Sequence, residues 1–241
     1  MSPIAIIAIV VGGILLLGGA LTWFLIWNNR QYQADKNAAL ERLNEQAPQR
    51  GWTYEERNDD YVEVYNNQQA HTPERLLTQA PPKARAAHDV ITGTHRGRPF
   101  LAARFSVYQS ADARHEGRFF DVAPILVRTP AIRPTLSVRR AFAMQTAVNT
   151  GLGLTFTTGN PEFDKQFEID GEDEQFARAV LHPALIEFLL TDPRQPRGFW
   201  LVGGHLDVLH EVGDHRDPDN LVPALDLRCD ILDRIPQQVW S

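Results

Sequence analysis

The sequence predicts an α+β fold in which an N-terminal transmembrane helix precedes a soluble domain of antiparallel β-sheet and packed helices. Three observations predict it. Residues 4–27, IAIIAIVVGGILLLGGALTWFLIW, form an uncharged apolar run of 24 residues. Through the middle of the chain, short runs of alternating apolar residues are separated by turn signals such as Arg96-Gly97 and Gly203-Gly204. Strands and helices are also gathered into runs instead of alternating strictly, which favours α+β over a parallel α/β sheet.

The organisation expected is a transmembrane anchor over 1–29, a juxtamembrane helix or stalk over 30–50, and a soluble α+β domain over 51–241. As a helix, residues 4–27 would extend about 36 Å and cover a hydrocarbon core of roughly 30 Å. A cleavable signal peptide would carry a basic start and a shorter apolar core, whereas only Met1, Ser2 and Pro3 precede this run. Arg30, Lys36 and Arg42 follow the run and no basic residue precedes it. The positive-inside rule therefore puts the N-terminus outside and the C-terminal domain in the cytoplasm, at the cell membrane. Trp23 and Trp27 stand at the same end, where indole rings favour the headgroup region. Ala5, Ala8, Gly12 and Gly19 fall near one helix face and would let a second span approach, although such residues are common in membrane helices anyway.

Residues 31–47, QYQADKNAALERLNEQA, are good helix formers without Gly or Pro, and Pro48 and Gly51 end them; a short stalk or a docking helix is expected. GWTYEERNDDYVEVYNN suggests one or two short strands or turns. Residues 68–87 are polar, with Pro73, Pro81 and Pro82, and read as a loop with room for a turn of helix, the segment expected to be most mobile. A hairpin about Arg96-Gly97 follows, with Leu101, Ala103, Phe105 and Val107 alternating onto a core face. Residues 118–129 give a strand interrupted or edged by Pro124, and 134–140 a shorter one. LTFTTG and FEID look extended. EDEQFARAVLHPALIEFLL reads as two helices divided at Pro183. GFWLVGGHLDVLHE is a hairpin about Gly203-Gly204, and Asp217 caps a final helix carrying Leu221, Leu225, Cys229 and Leu232 along one stripe as far as Pro236.

A net charge of -6 with interspersed basic residues argues against nucleic acid as a partner. The single cysteine, Cys229, excludes an intrachain disulfide framework and a multi-cysteine metal site, and its place on the helix stripe marks it as a small core residue. There is no Gly-x-Ser-x-Gly elbow and no phosphate loop, and NTGLGLTFTTGN lacks the third glycine of a dinucleotide turn. The acids of EIDGEDE, 168–174, lack calcium-loop spacing and read as an acidic helix start. No cofactor is expected.

The stretch VLHEVGDHRD, 208–217, comes nearest to a metal motif. A zinc protease helix needs histidines four residues apart on one face. Here Asp214 holds the second-ligand position after His210 and Glu211, and His215 comes one residue late. The hairpin register sets Val202 opposite His205, Leu201 opposite Leu206, Trp200 opposite Asp207 and Phe199 opposite Val208. His205 and Asp207 then share a face with Trp200, while His210 falls on the apolar side. No catalytic or metal residue is assigned, and His205, Asp207 and His215 remain the candidates for a metal site completed from elsewhere.

With its N-terminal span and the segments RGWTYEERNDDYV, VITGTHRGRPF, FARAVLHPALIEFLL and LVPALDLRCDILDRIPQQVW, the chain resembles a family of uncharacterised single-pass membrane-anchored proteins of bacteria, mainly actinobacteria. The resemblance covers nearly the whole chain and implies a signal-anchored α+β domain; it supplies no site residue or cofactor. The function expected is a non-enzymatic binding or interaction domain, held to the lipid bilayer through 4–27 at the inner face of the membrane, with a protein partner, a homodimer or a small ligand all open. The alternatives are a metal-assisted hydrolase using the His205–His215 region and an envelope protein of reversed topology.

Overall fold

The structure is a computed structural model that describes residues 22–24, 27, 36–70, 81–111, 116–141 and 156–241. Helix α1, residues 36–50, buries Ala39, Leu43 and Ala47, which recur every four residues and so share one face. Strand β1 (Thr53–Arg57) follows, then a 3-10 turn (Asp59–Tyr61) running into helix α2 (Val62–Ala70). Strands β2 (Lys83–His95), β3 (Arg98–Gln109), β4 (Arg118–Val122), β5 (Ile125–Arg128) and β6 (Leu136–Arg140) come next. The rest is α3 (Pro161–Gln166), β7 (Phe167–Gly171), α4 (Glu174–Val180), α5 (Pro183–Thr191), β8 (Gly198–Val202), β9 (His205–Val208) and α6 (Pro218–Arg234).

The strands form one antiparallel sheet in the order β1-β2-β3-β5-β9-β8-β6-β7, with β4 also paired to β3. The sheet has two halves. The β2-β3 hairpin, with β1 on its outer side and β4 and β5 paired to β3, builds one half, while β9-β8-β6-β7 form the other. A short seam joins them, with Val127 opposite Leu206 and Arg128 opposite His205. On one face α1, α5 and α6 cover the main core, where Leu43, Leu185, Leu221 and Leu225 meet Phe100, Val127, Val138 and Phe199. On the other face α2 covers the β2-β3 half alone, stacking Tyr65 on Phe105 at 5.0 Å above Ala87, Val90 and Leu101.

The antiparallel sheet with packed helices matches the sequence reading, but its transmembrane element does not. Among the described residues no helix is long and apolar enough to cross a membrane. The fold class is corrected to an antiparallel α+β domain, and the expectation of a single-pass, signal-anchored membrane protein is corrected with it. The described helices are too short or too polar for a span: α1 is amphipathic, with an alanine-leucine face in the core, and its Arg42 pairs at 2.6 Å with Asp217 at the start of α6. The run 4–27, with Ala5, Ala8, Gly12 and Gly19, lies outside the described residues except for the helical positions Thr22–Phe24 and Trp27.

Three further differences have local causes. The polar loop expected over 68–87 is shorter, because α2 continues to Ala70 and β2 begins at Lys83, burying Ala84 and Ala87 in the cluster around Tyr65; residues 71–80 lie outside the description. A helix precedes FEID, started by Asn160, whose side chain accepts from the Glu162 and Phe163 N–H groups, with Pro161 at the first helical position. Of LTFTTG, the described part makes an isolated bridge from Phe156 to Ile169.

Candidate functional site

The hairpin on the seam side of the second half-sheet adopts the register read from the sequence, with Trp200 opposite Asp207 and Val202 opposite His205. Gly203 and Gly204 both take positive φ, 56° and 79°, as a two-residue turn of this kind requires. Phe199, Leu201, Leu206 and Val208 therefore enter the core. Trp200, Val202, His205 and Asp207 point to the opposite face, beyond the cover of α2.

That face floors a cavity of about 1460 Å³. Tyr65, Val122, Pro124 and Leu126 wall it on the β5 side, Arg139 and Glu168 stand on β6 and β7, and Arg197 and Glu211 flank the open end of the β8-β9 hairpin. The seam explains both the cavity and its most unusual residue. Past Val127 and Leu206 the two strands part, and Arg228 of α6, 2% exposed, fills the gap. Its guanidinium donates to Ile125 O at 2.6 Å, Val208 O at 3.4 Å and Ala224 O at 2.9 Å. It also donates to Asp207 Oδ1 at 2.8 Å on the cavity side. Parted strands leave carbonyls without ladder partners, and the guanidinium supplies donors in a fixed fork.

The remaining floor is held in place by the protein itself. Arg139 Nε lies 3.5 Å from Glu168, and Asp207 Oδ1 also accepts from the Val208 N–H at 2.8 Å. His215, 5% exposed, donates from Nε2 to Asp89 O at 2.8 Å, since a carbonyl can only accept. Burial holds the imidazoles of His205, His210 and His215 below their ordinary value, and neighbouring guanidinia add to this: Arg128 at His205, Arg228 at His210 and Arg216 at His215. All three are neutral near pH 7. Burial and then the Asp207 charge push the Tyr65 hydroxyl up to about 12. Ser137, cross-strand to Trp200, and the Trp200 indole N–H are shut off from solvent without a hydrogen-bond partner among the described residues.

His205, Asp207 and His215 thus line one cavity, but each is engaged elsewhere. Asp207 is committed to Arg228, His215 to Asp89, and His205 Nδ1 to Gly203 O at 3.2 Å. Among the described residues no group of three or more His, Cys, Asp or Glu side chains is placed to hold a metal ion. His210 departs from the expected alternation. The strand ends at Val208, the His210 N–H folds back to Val208 O at 2.8 Å, and His210 lines the same cavity as His205. Cys229 is fully buried on α6, and the acids of 168–174 divide between the sheet and a cap, with Asp173 accepting from the Phe176 N–H at the start of α4.

Two residues escaped the sequence reading. Arg228 falls seven residues after Leu221 and four before Leu232, so a charge on the core stripe was the available signal. Asp89 sits in a β2 bulge at φ 50°, bonded to the Tyr54 hydroxyl at 3.1 Å and to Arg104 at 3.1 Å. Burial and then Asp89 push the Tyr54 hydroxyl up to about 12. An aspartate inside a strand pattern marks such bulges.

No protein-family model and no curated protein matches the chain. Among solved structures it is similar to the mycobacterial trehalose monomycolate transport factor A, TtfA, at 14% identity and a TM-score of 0.47, over 82% of this chain and 96% of that one. A likeness of that strength assigns neither fold nor function to this chain.

Proposed function

We propose that this chain is a non-enzymatic binding domain that holds a small ligand in the cavity on the second face of its sheet. One observation carries the reading: a cavity of about 1460 Å³ lies at the seam of the two half-sheets, floored by side chains whose positions are already fixed by protein partners. Ligand sites are concave and largely preformed, with polar groups placed to orient the guest. A preformed floor lowers the ordering cost that binding would otherwise incur. The carboxylates and imidazoles on this floor stabilise the architecture, which suits holding a molecule better than transforming it.

The amphiphilic dye 1-anilinonaphthalene-8-sulfonate tests the reading. The native chain should bind it saturably at one site with enhanced, blue-shifted emission, and Val202→Arg, which places a long side chain over the floor, should abolish that signal while unfolding stays cooperative. Gln69→Trp, on the more exposed α2 wall, should weaken binding without touching the floor. Non-saturable binding, or binding unaffected by both substitutions, would overturn the proposal.

A further inference from the structure

We infer that the cavity takes a single-chain amphiphile with an oxyanion head, its hydrocarbon chain against Tyr65, Pro124 and Leu126 and its head beside Arg139 and Arg197. This rests on the cavity being the binding site and adds the class of ligand.

The sheet order supplies the geometry. Leu126 is on β5 and Arg139 on β6, and β9 and β8 lie between them. Three strand spacings separate the two ends, about 14 Å. The β5 end is apolar, contributed by Tyr65, Val122, Pro124 and Leu126. Away from β5, three guanidinia, Arg139 and Arg140 of β6 and Arg197 just before β8, meet two carboxylates, Glu168 of β7 and Glu211 past the end of β9. Arg140 partly serves the core, with its guanidinium 5.8 Å from the Phe167 ring centroid. Between the ends lie Trp200, Val202 and the closed Arg228–Asp207 pair. The middle is thus balanced in charge, and the polarity runs along the cavity.

The ion pair freest to open is that of Arg197 and Glu211, 3.2 Å apart with side chains 64% and 85% exposed. Arg139 stays 3.5 Å from the buried Glu168 and keeps that partner. An exposed pair contributes little, so the Arg197 guanidinium can turn to a ligand oxyanion at small cost, with the Arg139 charge beside it. A carboxylate or phosphate head accepts two parallel N–H bonds from one guanidinium, a match an alcohol cannot make. The chain then removes apolar surface from water at the opposite end. The field of Arg197 also reaches His210, whose charged form is disfavoured first by burial and then by Arg228, Arg194 and Arg197.

Titration calorimetry below the micellar concentration tests the inference, using dodecanoate, dodecyl phosphate, dodecanol and butyrate with the full chain. Dodecanoate or dodecyl phosphate should bind at one site, and the tighter of the two identifies the head. Dodecanol and butyrate should each bind at least tenfold more weakly. Arg197→Gln, an exposed change that leaves the core alone, should weaken the anion severalfold, and Arg139→Gln together with Arg197→Gln at least tenfold, without altering dodecanol binding. Dodecanol binding as tightly as dodecanoate, or anion affinity unchanged in both variants, would overturn the ligand class. If the naphthalene dye binds saturably and neither anion does, the ligand class falls and the cavity stands; if none of them binds, both fall.

Discussion

Arg228 directs four hydrogen bonds, to Ile125 O and Val208 O where the strands part, to Ala224 O one turn back on its own helix, and across to the cavity carboxylate of Asp207. Removing one partner of a buried pair leaves the other uncompensated, at a cost of about 3–5 kcal/mol. Arg228→Met should therefore lower the unfolding free energy by about that much in urea titrations. Arg228→Met combined with Asp207→Leu should recover part of the loss, because the stranded charge goes while the open carbonyls remain. Ser137 makes the opposite case. Its buried hydroxyl has no partner among the described residues, so Ser137→Ala should leave stability unchanged or raise it by about 1 kcal/mol in the same titration. At this scale the sequence was partly legible. An arginine on the core stripe of α6 was visible, but its purpose was not, because Ile125 and Asp207 come near it only after the sheet assembles.

The hairpin of β8 and β9 was readable as an element, register included, since a two-residue glycine turn leaves little freedom in pairing and alternation then assigns each face. Its far end depends on Gly198, which holds φ 135° where an added Cβ would collide with Val138 O of the neighbouring strand. Gly198→Ala should break the β6-β8 pairing there and lower the thermal midpoint more than Gly97→Ala, whose turn position is open to solvent. Asp217 starts α6 by accepting from the Asp219 N–H at 3.1 Å and also binds Arg42 of α1. Asp217→Ala should cost about 1–2 kcal/mol of unfolding free energy, measured in urea. The cap was legible from Asp217-Pro218, but the docking of α1 on it was not, because that contact joins distant parts of the chain. The helix in α2 was missed for a related reason. VEVYNNQQA carries a weak apolar stripe, and Tyr65 becomes a core residue only when β2 and β3 bring Phe105 beneath it.

Across the whole molecule, two half-sheets meet at a seam, and the cavity exists because they do not close fully against each other. This arrangement carries a pH signature. The imidazoles of buried His215, half-buried His205 and the more exposed His210 have depressed folded-state values, so the unfolded chain binds more protons below its own imidazole value of about 6.5. Stability should hold near and above pH 7 and decline as pH falls below about 6.5. A second decline should begin below about pH 4, as Asp192, held low by its hydrogen bonds from Arg194, and Asp217, held low by Arg42, take up protons. Urea midpoints measured against pH check this, and His215→Gln should flatten the first decline. The meeting of the half-sheets was not legible, since residues 125–128 and 205–208 carry no local signal for one another. The cavity is therefore a property of the assembled sheet.

The most direct measurement is the set of tryptophan indole N–H resonances of the ¹⁵N-labelled chain during titration with the naphthalene dye, with Trp200 assigned by its loss in Trp200→Phe. A ligand on the cavity floor should shift the Trp200 resonance saturably and leave that of Trp52, bonded to Thr94 O at 3.3 Å in the opposite core, in place. An unmoved Trp200 at saturation, or indoles that all shift together, would contradict a ligand site on the second face of the sheet.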